Sequence, residues 1–240
     1  NLQHPVLNLF EYLGKHFNGE FFKFSESEQE EVEKLSDDTF RYLGSFFNGE
    51  LEKNQYVIWK LYSFKDLPIE LISNIYEAFL ESKKGGVVYT PPFLVELLLD
   101  ESMPSTDTRT DFKILDPACG SSIFLVGAYK RLIQRWRYKN DWKPIKLNIL
   151  KKLLGNIYGV DINDEAVRLS IFSLNVALCD ELSPVEIWDE LVFDSIHNKQ
   201  IYSKDFFQLL LDKENDENLK KDFSDFDLII GNPPFVSELS

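Results

Sequence analysis

Cysteine is nearly absent from this 240-residue chain. The two present, Cys119 and Cys179, cannot build the multi-bridge framework of a small secreted domain. Neither they nor the three histidines stand in a zinc-ligand spacing. Long apolar runs are missing too: no stretch approaches the roughly 18 residues of a membrane-spanning helix, and no signal peptide opens the chain. A soluble, reduced, cytoplasmic protein without a metal centre is therefore expected. Positive charge is scarce, with 26 Lys and Arg against 40 Asp and Glu and a net charge of -14. So acidic a chain is ill suited to hold a nucleic-acid duplex unaided, because phosphate contacts dominate such affinity. No G-x-G-x-x-G is present, which argues against a pyrophosphate cradle.

What is present suits a globular α/β protein, with 44% hydrophobic and 14% aromatic residues. Phe112-Lys113-Ile114-Leu115 reads as an apolar strand running into Asp116-Pro117-Ala118-Cys119-Gly120-Ser121-Ser122, after which Ile123, Phe124, Leu125, Val126 and Ala128 begin a helix. Strand, tight small-residue turn and helix N-terminus form the first βα unit of a doubly wound sheet, where ligands sit at the carboxyl ends of the strands. The turn's single glycine suits a ligand carrying a zwitterionic amino acid. Asp116 can accept from its ammonium, and backbone N–H groups near Gly120 can meet its carboxylate.

A second strand, Asn156-Ile157-Tyr158-Gly159-Val160, ends in Asp161-Ile162-Asn163, and Asp164-Glu165-Ala166-Val167 opens a helix to about Cys179. An acid at that strand end is placed to grip ribose hydroxyls. Ile162 can cover one face of an adenine, and Asn163 is read as the helix cap. Asp161 lies 41 residues after Gly120, about twice the usual interval, so the first crossover must be enlarged.

The last strand, Phe226-Asp227-Leu228-Ile229-Ile230, is read as buried and delivers Gly231-Asn232-Pro233-Pro234-Phe235 to its carboxyl end. A nucleobase amino group is a poor nucleophile because its lone pair is delocalised into the ring. If the Asn232 side-chain carbonyl and the Pro233 backbone carbonyl both accept its protons, the nitrogen is drawn toward tetrahedral geometry and can attack. Pro233 and Pro234 hold that carbonyl in an extended corner, and Phe235 can stack on the base, worth about 1–3 kcal/mol. An ordinary turn after a strand is the competing reading, since Asn-Pro commonly starts turns.

Taken in order, these segments resemble the S-adenosylmethionine-dependent N6-adenine DNA methyltransferases of restriction-modification systems, in the group whose cofactor motifs precede the catalytic one. Asp116-Pro117-Ala118-Cys119-Gly120-Ser121 is similar to their cofactor loop and Asn232-Pro233-Pro234-Phe235 to their catalytic motif. Gly86-Val87-Val88-Tyr89-Thr90-Pro91-Pro92 resembles their Y-T-P segment, and Lys204-Asp205-Phe206-Phe207 the acid after the third strand. The resemblance implies S-adenosylmethionine held by Tyr89, Thr90, Pro91, Asp116, Ala118 and Gly120 at its methionine end. It implies Asp161 at the ribose, Ile162 beside it, and Asp205 at the adenine amino group. It further implies a Rossmann-like doubly wound sheet, incomplete at its C-terminal side, and a target recognition region beyond residue 240. Such an enzyme's partners would be double-stranded DNA, met mainly through regions outside this chain, and a specificity or nuclease domain or subunit. The chain is accordingly expected to be part of a longer enzyme and inactive by itself. N4-cytosine, RNA-base or protein-glutamine methylation, or a catalytically silent scaffold in a defence complex, are the alternatives.

The organisation expected is a helical N-terminal region over 1–84 and a methyltransferase core over 85–240. Within the first region, Tyr12-Leu13-Gly14-Lys15-His16-Phe17-Asn18-Gly19-Glu20 recurs 30 residues later as Tyr42-Leu43-Gly44-Ser45-Phe46-Phe47-Asn48-Gly49-Glu50. Two copies are too few for a solenoid; they read as helices ending in Asn-Gly turns, joined by the acidic, solvated run Glu26 to Asp38. Over 61–80, Leu71, Ile72, Ile75, Phe79 and Leu80 share a helical face, and the segment resembles the helical lead-in of large restriction-modification enzymes. Between Tyr129 and Lys152 stand nine basic residues and one acid, interleaved with Trp136, Tyr138 and Trp142. That stretch reads as a solvated helix face, a phosphate-tracking surface or a contact to an acidic neighbouring domain.

Overall fold

A computed structural model describes residues 3–19, 22, 24–48, 90–217, 219 and 223–233. Its sheet is parallel throughout and ordered β3-β2-β1-β4, from β1 (Ile114–Asp116), β2 (Ile157–Asp161), β3 (Ile201–Ser203) and β4 (Leu228–Ile229). The sequence signals of strand, short turn and apolar helix recur here as successive crossovers. The enlarged first one contains two helices, α5 (Ile123–Lys139) and α6 (Leu147–Leu154). The second runs through α7 (Asp164–Cys179) and α8 (Pro184–Glu190), and the third through α9 (Phe206–Asn215).

Side chains alternate along each strand, so the two faces of the sheet differ. Leu115, Tyr158, Val160 and Tyr202 build one core with Leu209 of α9 and with Phe223 and Phe226. The opposite face packs on α5 and α7, and there a Cβ at Gly159 would stand 2.7 Å from Leu125 Cδ1. Helices on both faces give the doubly wound arrangement expected. Ahead of β1, α4 (Pro92–Ser102) lies on α5 so closely that a Cβ at Gly127 would meet Leu99 Cδ1 at 2.7 Å.

β4 differs from the buried strand the sequence suggests. Its ladder runs from the Asp227 N–H on the Lys113 carbonyl to the Ile230 N–H on the Leu115 carbonyl, yet Ile229 is 62% exposed. As the outermost described strand, β4 is flanked on one side only. Part of the basic stretch also departs from the readings given to it. Arg135 is fully buried, its guanidinium donating to the Pro104 and Arg109 carbonyls, ion-paired with Asp107 and stacked over Phe112. Arg131 pairs with Asp100 and Arg137 with Glu181. Lys139, Lys143, Lys146 and Lys152 remain exposed, beside a Trp142 that is 67% exposed.

The chain divides into two compact units, residues 69–191 with 195–240, which hold the sheet, and residues 1–68 with 192–194. In the latter, α1 (Gln3–Phe17) stops at Asn18, whose φ of 52° is left-handed and whose side-chain amide donates to the Phe193 carbonyl. α3 (Asp37–Asn48) ends at the second Asn of the repeat. The acidic run between them is mostly a helix, α2 (Glu26–Lys34), opened by a Ser25–Glu28 capping box and bearing no buried residue. The amphipathic segment over 61–80 lies outside the described residues.

Candidate active site

The parallel register brings the strand ends to one edge, with Asp116 opposite Gly159 and Asp161 opposite Ser203. Asp116 ends β1 and is 1% exposed, with Oδ1 accepting the Ala118 N–H at 3.0 Å. Burial pushes its carboxyl up to about 7, the Ala118 amide working against the shift and the charge of Asp161 adding to it. The backbone leaving β4 presses against this carboxyl: a Cβ on Gly231 would stand 2.3 Å from Asp116 Oδ1. Only glycine permits that approach.

The turn after Asp116 is left-handed at Gly120, φ 50°, and at Ser122, φ 69°. This geometry sends the Gly120 N–H to Asp161 Oδ2 at 2.9 Å, while Asp161 Oδ1 accepts from the Asn163 N–H at 2.8 Å. Each Asp161 oxygen keeps a lone pair for a further donor. Among the described residues no heavy atom lies within 4 Å of where a Cβ at Gly120 would stand, so there the turn borders open space. Ser170 on α7, which the sequence did not single out, donates its hydroxyl to the Gly120 carbonyl at 2.8 Å. Its only signal was a small polar residue inside an apolar helical stripe. Cys119 is buried and burial pushes its thiol well above the ordinary range, which rules against a thiolate nucleophile.

Asn163 caps α7 as read, accepting from the Glu165 N–H. Beside it, Ile162 is 77% exposed at the strand edge. Asp205, an exposed residue, follows β3 and caps α9, its Oδ1 accepting from the Gln208 N–H at 2.9 Å. Asn232 follows β4, and its Nδ2 donates to Thr90 Oγ1 at 3.1 Å. Thr90 is buried next to Pro91, the N-terminal flank of α4, while Pro233 is exposed. Tyr89, Pro234 and Phe235 lie outside the described residues. One edge thus gathers Asp116, Ala118, Gly120, Asp161, Ile162 and Asp205 from three strand ends, and Thr90 meets Asn232 at a fourth.

A family model for N-6 DNA methylases matches residues 68–239, a stretch that contains all four strand ends. The chain belongs to the N-6 DNA methylase family. Among proteins similar to it are the adenine-specific methyltransferase PglX of Streptomyces coelicolor, 24% identical over 69% of this chain and 16% of that protein. The type II methyltransferase M.BstVI of Geobacillus stearothermophilus is 33% identical over 64% of this chain and 25% of its own length. The methylase subunit of the type I restriction enzyme MjaIX of Methanocaldococcus jannaschii is 30% identical over 69% and 23%. This N-6 DNA methylase chain therefore spans between 16% and 25% of these relatives. Among its described residues no helix is long and apolar enough to cross a membrane.

Proposed function

We propose that the intact protein is a site-specific DNA adenine N6-methyltransferase of a restriction-modification system, with its methyltransferase core beginning near residue 85. The observation that carries this reading is the Asn232 side chain at the end of β4, whose Nδ2 is tied back to Thr90 and whose Oδ1 is left to accept. That polarity suits a target that donates, as an exocyclic amine does.

The cofactor-side residues fit S-adenosylmethionine, whose sulfonium supplies an electrophilic methyl group. A buried carboxyl at Asp116 suits an ammonium, and the spare lone pairs of Asp161 suit ribose hydroxyls. Ile162 offers exposed apolar surface for an adenine face, and the carboxylate of the exposed Asp205 an acceptor for its amino group. Thr90, Pro91 and Ala118 are assigned to the methionine end, as Tyr89 is from its place in the sequence, and among the described residues the space beside Gly120 leaves room for it.

On the target side an adenine is taken out of its stack, at a cost of a few kcal/mol. Asn232 Oδ1 and the Pro233 carbonyl accept its two amino protons, which localises the nitrogen lone pair for in-line attack. Pro234 fixes the Pro233 carbonyl, and Phe235 stacks on the base. S-adenosylmethionine held on the cofactor side would supply its methyl group to the amine that Asn232 and Pro233 orient, being left as a neutral thioether, and the surplus proton would pass to solvent.

The test is nucleoside mass spectrometry of unmodified DNA incubated with S-adenosylmethionine and the intact protein, beside Asn232→Ala. N6-methyladenine from the wild type alone is expected, with cofactor binding unchanged in the variant. Retained transfer by Asn232→Ala would overturn the assignment. N4-methylcytosine would move it to the other amine target. No methylated DNA base despite cofactor binding would move it to RNA or protein, or to a scaffold.

A further inference from the structure

The main chain of Asn232 has little freedom. Its strand is hydrogen-bonded up to Ile230, and Gly231 is lodged against the buried Asp116. What remains is rotation of the side-chain amide, whose two ends are nearly equal in size and opposite in sense: the oxygen accepts and the NH2 donates. A half-turn would present a donor to an incoming amine and repel it. The Nδ2 to Thr90 Oγ1 hydrogen bond, which joins residues 142 apart in sequence, holds the amide in one of these orientations.

The support behind Thr90 is rigid. Thr90 is 7% exposed and precedes Pro91, whose φ of -59° begins α4. Val95 and Leu99 of that helix are buried, and Leu99 is seated over Gly127 of α5. The hydroxyl carries one proton and two lone pairs. In the bond observed the oxygen accepts from Asn232 Nδ2, so Oδ1 is the end of the amide that Thr90 does not engage.

We infer that Thr90 is a positioning residue for the methyl-transfer step: it turns the Asn232 amide so that Oδ1 faces the target amine. This rests on the amine-methyltransferase reading above and adds to it a role on the target side for a residue otherwise allotted to the cofactor.

Thr90→Val keeps the branched shape and removes the hydroxyl. In the intact protein at saturating S-adenosylmethionine, its kcat for DNA methylation is expected to fall about 10- to 100-fold, the scale of a misaligned reacting group. Thr90→Ser, which restores the hydroxyl, is expected to recover kcat to within about 3-fold of wild type. Calorimetric titration of the cofactor reports its affinity separately. An unchanged kcat in Thr90→Val, with only weaker cofactor binding, would overturn the inference and leave Thr90 a cofactor contact. Should the valine variant fail to fold, Thr90→Ala carries the same two outcomes. If the wild type methylates no adenine, the underlying reading falls and this inference falls with it.

Discussion

At the scale of single residues, Asp116 is an acid kept from water at the end of β1. Its carboxyl is raised from the ordinary 3.8 to about 7, first by burial and then by the charge of Asp161, so the folded state holds the proton more tightly than the unfolded chain. Stability contributed by the protonated form is therefore full at low pH. It declines as pH rises from about 4 and levels off above about 7. An amide cannot titrate. Melting of Asp116→Asn is accordingly expected to fall less between pH 4 and 7 than that of the wild type; equal declines would show that Asp116 ionises normally. A ligand ammonium reaching this carboxyl would displace its proton. Calorimetry of S-adenosylmethionine binding near pH 7 should thus give enthalpies that vary with the buffer's ionisation heat.

At the scale of elements, the contacts that matter join pieces far apart in the chain. Arg135 fastens α5 to the segment before β1 through the carbonyls of Pro104 and Arg109 and the carboxylate of Asp107. Asp107 is half-exposed, so most of the cost of losing Arg135 lies in the packed guanidinium and the two carbonyls left without their donors, about 1–3 kcal/mol for each unmet buried group. Arg135→Ala should show that loss in denaturant unfolding, and Arg135→Lys should not restore it, because an ammonium cannot reproduce the planar fork over Phe112. Gly231→Ala would drive a methyl group into Asp116. Its expected cost is about 1–3 kcal/mol, as for other overpacked sites, with a drop in methyl transfer measured in the same preparation. The sequence made the βα units readable because each is local: apolar strand, small-residue turn, capped helix. It also required a long first crossover, which α5 and α6 fill. Arg135 was hidden for the opposite reason. Counting charge along a helix cannot reveal that carbonyls 26 and 31 residues upstream fold over one of its cations. The capping box that makes α2 a helix was legible in Ser25 and Glu28, but composition alone was read there.

At the scale of the molecule, charge is distributed unevenly, -14 overall with nine basic residues against one acid over 129–152. α5 starts at the edge where the strands end, so its C-terminal half, with Lys139 and the following Lys143 and Lys146, lies away from the site. Reversing those three charges to Glu is expected to leave kcat/KM for DNA methylation within about 3-fold at physiological salt, where screening limits charges more than about 8 Å apart. A larger loss would mark this surface as a phosphate contact. The acids at the strand ends follow one another along the chain at 116, 161 and 205, and their order allowed the edge to be anticipated. The bond between Thr90 and Asn232 was not legible, since nothing in either segment's pattern says that the two meet. Its span has a further consequence during synthesis. Thr90 leaves the ribosome 142 residues ahead of its partner, so the nascent protein carries all three of those acids before it carries the amide. A chain ending between residues 205 and 232 would carry all three acids and lack the amide, so the two proposed sides of the site are separable in the order of synthesis.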